Sequence, residues 1–183
     1  RIERLDGRLR AFITVDAAGA LDRARALERD GMAGHWHGPL HCVPLAHKDL
    51  FRIAPLPTSC GTKTAEYFVA ERDATAVTRL TEAGAITLGK LNMAELAMGP
   101  YGDNAHHGDV QNPWRPGHVS GGSSSGSGVA VAGIRLPTTT AGDTLGALIA
   151  GLRSAICLPA PADAGIRGTQ GRISRLRTRR SST

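Results

Sequence analysis

The sequence predicts an α/β fold, with a mixed or parallel sheet covered by helices, and three observations carry that prediction. Segments of helical period alternate with short apolar runs in the order α, β, α, β. Clusters of Gly, Pro and Asn separate them. Of the 183 residues, 41% are hydrophobic and 21% charged, which is a globular balance.

The first residues, RIERLDGRLRAFITVD, are charged and lack an apolar core ending in small residues, so they do not read as a secretory signal, and the chain is expected to begin inside a domain. From Asp16 to Asp30, Ala17, Ala20, Leu21, Ala24 and Leu27 recur at helical spacing opposite arginine and glutamate, which predicts an amphipathic helix. Gly38 and Pro39 break that pattern. Cys42 to Ala46 is then a mostly apolar run, read as a buried strand leading into Lys48 and Asp49. A lysine there is unusual, because a charge is costly away from water. Asp73 to Ala83 is predicted as a helix capped by Asp73 and closed by Gly84, and AITLGK as a short strand. Asn92 to Met98 reads as a second capped helix, followed by the long loop GPYGDNAHHGDVQNPW. There is no internal repeat.

The net charge of +6 is not spread evenly. Six of the 22 basic residues are arginines between Gly165 and Thr183, where no acid occurs, so the remaining 16 basic and 16 acidic side chains balance. The reading is a folded unit over residues 1–164 and a poorly ordered basic segment over 165–183. Without interleaved aromatics or a recognisable module, that segment predicts no specific nucleic-acid partner. No apolar run reaches the roughly 18 residues of a membrane span. Cys42, Cys60 and Cys157 are odd in number and lack metal-type spacing, which suits free thiols and a cytoplasmic location.

VSGGSSSGSGVAVAG, Val119 to Gly133, has three possible readings: flexible linker, phosphate loop or catalytic serine platform. It fits neither G-x-x-x-x-G-K-S/T nor G-x-G-x-x-G, and a flexible spacer would not run into VAVAG. Glycines permit close backbone approach, and serines entering a helix put hydroxyls beside unpaired N–H groups. That is a platform for stabilising negative charge.

Several stretches, in order, resemble the amidase signature family, serine hydrolases that cleave amide bonds. GPLHCVPLAHKDLF is similar to that family's strand bearing a catalytic lysine, and DATAVTRLTEAGAITLGKLNMAELAMG to its next helix, strand and helix. NPWRPGHVSGGSSSGSGVAVAG is similar to its serine and glycine signature. The likeness runs through residues 10–146 and returns at GIRGTQGRISR, which makes residues 1–164 resemble the N-terminal part of the family's domain, a mixed sheet covered by helices and here truncated.

The resemblance implies a Ser, cis-Ser, Lys triad, in which the lysine is general base and a bridging serine in a cis peptide passes the proton. Lys48 then matches the base and Ser123 the bridge, with Gly121, Gly122, Asn92 and Met93 beside the substrate. The chemistry is sensible in itself, since a lysine of ordinary pKa must be desolvated before it can act as a base near neutrality. Residue by residue, plainer readings exist: an ion pair of Lys48 with Asp49, a helix-capping hydroxyl at Ser123, and capping or turn roles for Asn92, Met93 and the loop from Asn104 to Asp109. Ser124 and Ser125 read as local hydrogen-bonders.

The nucleophile is where the chain departs from the family. Asp143, Thr144, Leu145 and Gly146 match a D-T-L-G-S stretch whose backbone N–H groups (Thr144, Leu145, Gly146) would form the oxyanion hole, but Ala147 stands where the acyl-forming serine belongs. A methyl group cannot attack a carbonyl, and loss of such a nucleophile costs on the order of a millionfold in rate. The following residues, ALIAGLRSAICLPAPADA, do not match the family's S-I-R-x-P-A, and neither does the final LRTRRSST. Small insertions or deletions shifting the reading frame over 147–164 and again over 176–183 would account for both. Ser154 lacks the preceding glycine of an oxyanion hole and is a poor substitute.

His35, His37 and His41, and His106, His107 and Asp109, lack a closed ligand framework, so no metal and no cofactor is expected. Cys42, where relatives carry glycine, reads as a small buried thiol. Three functions follow: an amidase acting on a small-molecule amide, defective as written; a noncatalytic fragment or pseudoenzyme; and a glutaminase-type subunit of a tRNA-dependent amidotransferase. A homodimer or a partner subunit would cover the exposed edges of a truncated sheet.

Overall fold

The computed structural model describes residues 1–63 and 68–140. Helix α1 (Ile2–Leu9) leads through Arg10 into strand β1 (Phe12–Val15), and the Asp6 carboxylate ties the two by accepting the Ala11 N–H at 2.8 Å and that of Phe12. Helix α2 (Ala17–Met32) starts where expected, with Asp16 accepting from Gly19 N at 3.0 Å. Strand β2 (Pro44–Lys48) follows, then a two-stranded hairpin of β3 (Pro57–Thr58) and β4 (Phe68–Val69). Helix α3 (Thr75–Glu82), strand β5 (Ile86–Leu91) and a 3₁₀ turn at Glu95–Ala97 come next. A long loop leads to helix α4 (Ser125–Val129), whose last turns widen into a π-helix at Ala130–Ile134 before strand β6 (Thr138–Thr140).

The main sheet has the order β1-β5-β2-β6, with β2 parallel to both β5 and β6 and β1 antiparallel to β5. The sheet is therefore mixed, as the sequence predicts. Leu45 to Lys48 are all buried, because β2 is central and covered on both sides. One core cluster joins Ala11, Phe12, Ala46, Leu91, Val129 and Ile134, with Ile2, Leu5 and Leu9 of α1 packed on it. A smaller one joins Ala20 and Leu27 of α2 to Ile86. No helix among the described residues is long and apolar enough to cross a membrane.

Four local expectations need correction. No α-helix spans Asn92 to Met98, because the backbone donors there are drawn into tertiary bonds: Ala94 N to Ser123 O at 3.1 Å and Leu96 N to Cys60 O at 2.8 Å. Asp73 does not cap α3; its carboxylate accepts the Ala54 N–H at 2.8 Å, and the helix begins after Ala74. Only Ala20 and Leu27 of the predicted α2 stripe are buried, and Ala17 and Leu21 line an open apolar groove of about 720 Å³ with Ile2, Val15, Pro44 and Leu88. Cys42 is exposed, not buried, in a left-handed turn at φ 64° before β2. The closure of α3 at Gly84, with φ 94° and its N–H bonded to Thr81 O, agrees with the sequence.

Candidate active site

The site is built where β2 ends beneath the serine-rich segment. Alternation along β2 sends Ala46 and Lys48 to one face and His47 to the other. Lys48 is fully buried, and its Nζ donates to Ser123 Oγ at 2.7 Å. Burial pulls this ammonium from its ordinary 10.5 down to about 8.

Ser123 is brought there by close backbone packing. The Gly122–Ser123 peptide is cis. A side chain on Gly122 would sit 2.7 Å from Gly99 O, so only glycine lets the two loop segments meet. Ser123 O accepts from Ala94 N, and Gly126 N donates to Asn92 O at 2.9 Å, which locks the serine segment onto the residues after β5. From the other side, Ser127 Oγ donates to Thr140 O at 2.9 Å and ties α4 to β6. Ser125 Oγ is buried without a hydrogen-bond partner among the described residues, so its reading as a local hydrogen-bonder needs correction. Gly121, at φ 81°, and Gly122 shape the approach to Ser123.

Asn92 and Met93 are fully buried beside this point. Asn92 Nδ2 donates to Arg10 O and to Gly108 O, each at 3.0 Å, and its Oδ1 accepts the Met93 N–H at 2.8 Å. That is the work of a brace joining three segments.

Asp49 does not pair with Lys48. Its Oδ1 lies 2.9 Å from Lys90 Nζ, and its Oδ2 accepts from the Ser59 hydroxyl, from Ser59 N at 3.0 Å and from Gly61 N at 3.3 Å. Lys90 also donates to Thr58 Oγ1 at 3.0 Å and Pro57 O at 3.3 Å. Burial lowers the Lys90 pKa, and Asp49 opposes that. His47, buried on the same face, meets Thr140 Oγ1 at 3.1 Å and Thr87 Oγ1 at 3.2 Å, and burial with the Lys90 charge holds it near 4, hence neutral. Sequence reasoning missed this network. Its one signal was a second lysine, Lys90, ending the apolar run AITLGK.

The histidines act locally. His37 Nε2 pairs with Asp30 at 2.7 Å, His41 Nε2 meets Leu27 O, and His106 Nε2 meets Glu95 at 2.8 Å. Asp109 accepts from Asn104 N, and His35 is exposed. Among the described residues no group of three or more His, Cys, Asp or Glu is placed to hold a metal. Thr144, Leu145, Gly146, Ala147, Ser154 and Cys157 lie outside the described residues, as does the segment 165–183.

Comparison with known proteins bears on this geometry. The family model described as Amidase matches residues 1–180. The chain is 47% identical over 175 residues to a glutamyl-tRNA(Gln) amidotransferase subunit of Pseudomonas entomophila (strain L48), covering 96% of this chain and 35% of that protein. It therefore spans about a third of the length of the curated relatives it matches. The native peptide amidase of Stenotrophomonas maltophilia superposes with a TM-score of 0.68 at 38% identity, covering 76% of this chain and 29% of that one. A chain of a vestigial complex bearing on the origins of an s-triazine catabolic enzyme superposes with a TM-score of 0.72 at 38% identity, covering 75% of this chain and 30% of that one.

Proposed function

The chain belongs to the Amidase family, and from that premise we propose that its site is that of an amidase, built to split a carboxylic amide into acid and amine or ammonia. The observation that carries this reading is the 2.7 Å bond between the buried Lys48 ammonium and Ser123 Oγ, with Asp49 engaged elsewhere. A lysine near 8 is partly neutral at physiological pH and able to accept a proton. Lys48 takes a proton from Ser123, which takes one from a hydroxyl at position 147 as that oxygen attacks the amide carbonyl. Backbone N–H groups of Thr144, Leu145 and Gly146 hold the oxyanion, the proton returns to the leaving nitrogen, and water releases the acid.

With alanine at 147 the acylation step has no nucleophile, so the chain as written is a noncatalytic form of this site. Residues 147–164 and 176–183 are read as displaced in frame, and an independent read of the coding DNA from Thr138 onward tests that. The catalytic reading is tested by Ala147→Ser, alone and with Lys48→Met, using a fluorophosphonate probe and mass spectrometry. We expect one covalent label at position 147 in the single variant and loss of it in the double. With residues 147–164 restored to the frame that the DNA read gives, a folded single variant that takes no label, or labelling indifferent to Lys48, overturns the reading.

A second reading is favoured by the 47% identity to that amidotransferase protein: the site releases ammonia from glutamine for a tRNA-dependent amidotransferase and works beside partner subunits. Co-purification with such subunits supports it, and their absence from a pull-down counts against it.

A further inference from the structure

Two lysines stand at the ends of adjacent buried strands, Lys48 last in β2 and Lys90 next to last in β5, and they have opposite company. Register pairs His47 with Lys90 and Lys48 with Leu91, so with alternation along each strand the two lysines leave the sheet from opposite faces. Both are fully buried. Lys90 faces a carboxylate at 2.9 Å, a hydroxyl and a carbonyl. Lys48 faces the Ser123 hydroxyl, and none of the ion pairs among the described residues includes it. The carboxylate nearest to Lys48 in the chain, Asp49, is turned away: its Oδ1 is ion-paired with Lys90, and its Oδ2 accepts from three donors, the Ser59 N–H and hydroxyl and the Gly61 N–H. Its own backbone N–H is fixed to Leu91 O at 3.1 Å.

We propose that Lys90 is a positioning residue for Lys48: by holding Asp49 on the far face of the sheet, it denies Lys48 the carboxylate that follows it in the chain and leaves the Lys48 amine directed at Ser123. The inference rests on the reading of Lys48 as a proton acceptor. The physical reasoning is that a buried carboxylate stripped of its cation seeks another, and an ammonium paired with a carboxylate holds its proton. A base must not be so paired. One lysine thus serves as the counter-ion so that the other does not have to.

The charged and titratable groups around this device are few. Asp49 and Lys90 are faced by His47 from β2, by Cys60 from the segment after β3, and by His107 from the long loop, while Asp73 acts on His47. On the Lys48 side, α4 presents serines and the register of β6 places Thr139 on that face, while Thr140 meets His47 on the other. No carboxylate competes there among the described residues.

The test uses the fact that the chain has three lysines, Lys48, Lys63 and Lys90. With [13C]lysine incorporated, the titration of each side chain is followed by NMR in the full chain. Lys90→Met is expected to raise the Lys48 pKa by about one unit, the size of effect that a nearby opposite charge produces. Lys90→Arg should leave it at the wild-type value, and Asp49→Leu with Lys90→Met should return it there. Should Lys90→Met fail to fold by circular dichroism, Lys90→Gln, which keeps a donor for Thr58, replaces it. An unchanged Lys48 in the folded single variant, or a shift that persists in the double variant, overturns the proposal. The probe experiment at position 147 is independent: absence of label there with a Lys48 shift here refutes the catalytic reading and keeps the charge arrangement.

Discussion

Gly126 donates its N–H to the carbonyl of Asn92 at 2.9 Å, which joins the start of α4 to the end of β5 one turn from Ser123. A methyl group on Gly126 would overlap both Asn92 O and Ala11 O. Either α4 or the brace at Asn92 must then move. Gly126→Ala is expected to cost about 1–3 kcal/mol, the usual range for overpacking a filled site, and urea unfolding measures it. Because α4 carries the serine segment, the Lys48 titration should shift in the same variant.

Asn104 is the corresponding tie on the loop side. Its Nδ2 donates to Gly61 O and Met93 O, and its Oδ1 accepts from His106 N and His107 N, all four at 2.8 Å. Asn104→Ala leaves these buried groups without partners and is expected to lower stability by about 2–3 kcal/mol. Amide hydrogen exchange should quicken at His106 and His107, whose donors lose their acceptor. Unchanged exchange there would show that the loop is held by other means.

The contrast between Lys48 and Asp49 shows what was legible in the sequence. Lys48 and Ser123 were legible through the family resemblance: a lysine ending an apolar run is unusual in itself, but the residues alone leave an ion pair with Asp49 and a helix cap open. The destination of Asp49 was not, although period-2 alternation alone argues that neighbours on a strand face apart. What motif reading could not supply was Lys90, since the bond between Lys90 and Asp49 spans 41 positions and depends on the register of β2 on β5. Helix α1 and β1 escaped notice for a different reason. RIERLDGRL reads as a charged stretch, although Ile2, Leu5 and Leu9 recur at helical spacing and pack on the core, and FITV is too short to display a period. The failed helix at Asn92 to Met98 has good propensity, but its backbone donors serve Ser123 and Cys60.

Lys48 also predicts a pH dependence of stability. Its pKa is about 8 in the folded chain against 10.5 in the unfolded one, so between these values the unfolded chain binds the proton that the native state lacks. Stability must therefore rise as pH is raised from 8 to 10.5. Lys48→Met should remove a part of that rise on the order of 3 kcal/mol, leaving the contribution of Lys90, which has the same sign. Urea unfolding at pH 8 and pH 10.5 of both proteins supplies the comparison. Equal slopes would mean that Lys48 is solvated in the native state.

His47 sets the acid limb of the same curve. Burial lowers its pKa from 6.5 to about 4, the Lys90 charge adds to that, and Asp73 opposes it. Between pH 6.5 and 4 the unfolded chain takes up a proton that the native imidazole refuses, so stability falls as pH falls through this window. The ring does not charge in place, because it is buried away from water and the Lys90 ammonium stands on the same face. His47→Gln keeps a donor and an acceptor for Thr87 and Thr140 but does not titrate. The variant should therefore lose less stability than the wild type between pH 6.5 and 4, by on the order of 3 kcal/mol. Carboxylates whose affinity for protons also changes on folding, such as Asp6, raised by burial, are common to both chains and cancel in the difference. If the two proteins lose stability in parallel, His47 is protonated in the folded chain, and the charge arrangement around Lys90 is other than described.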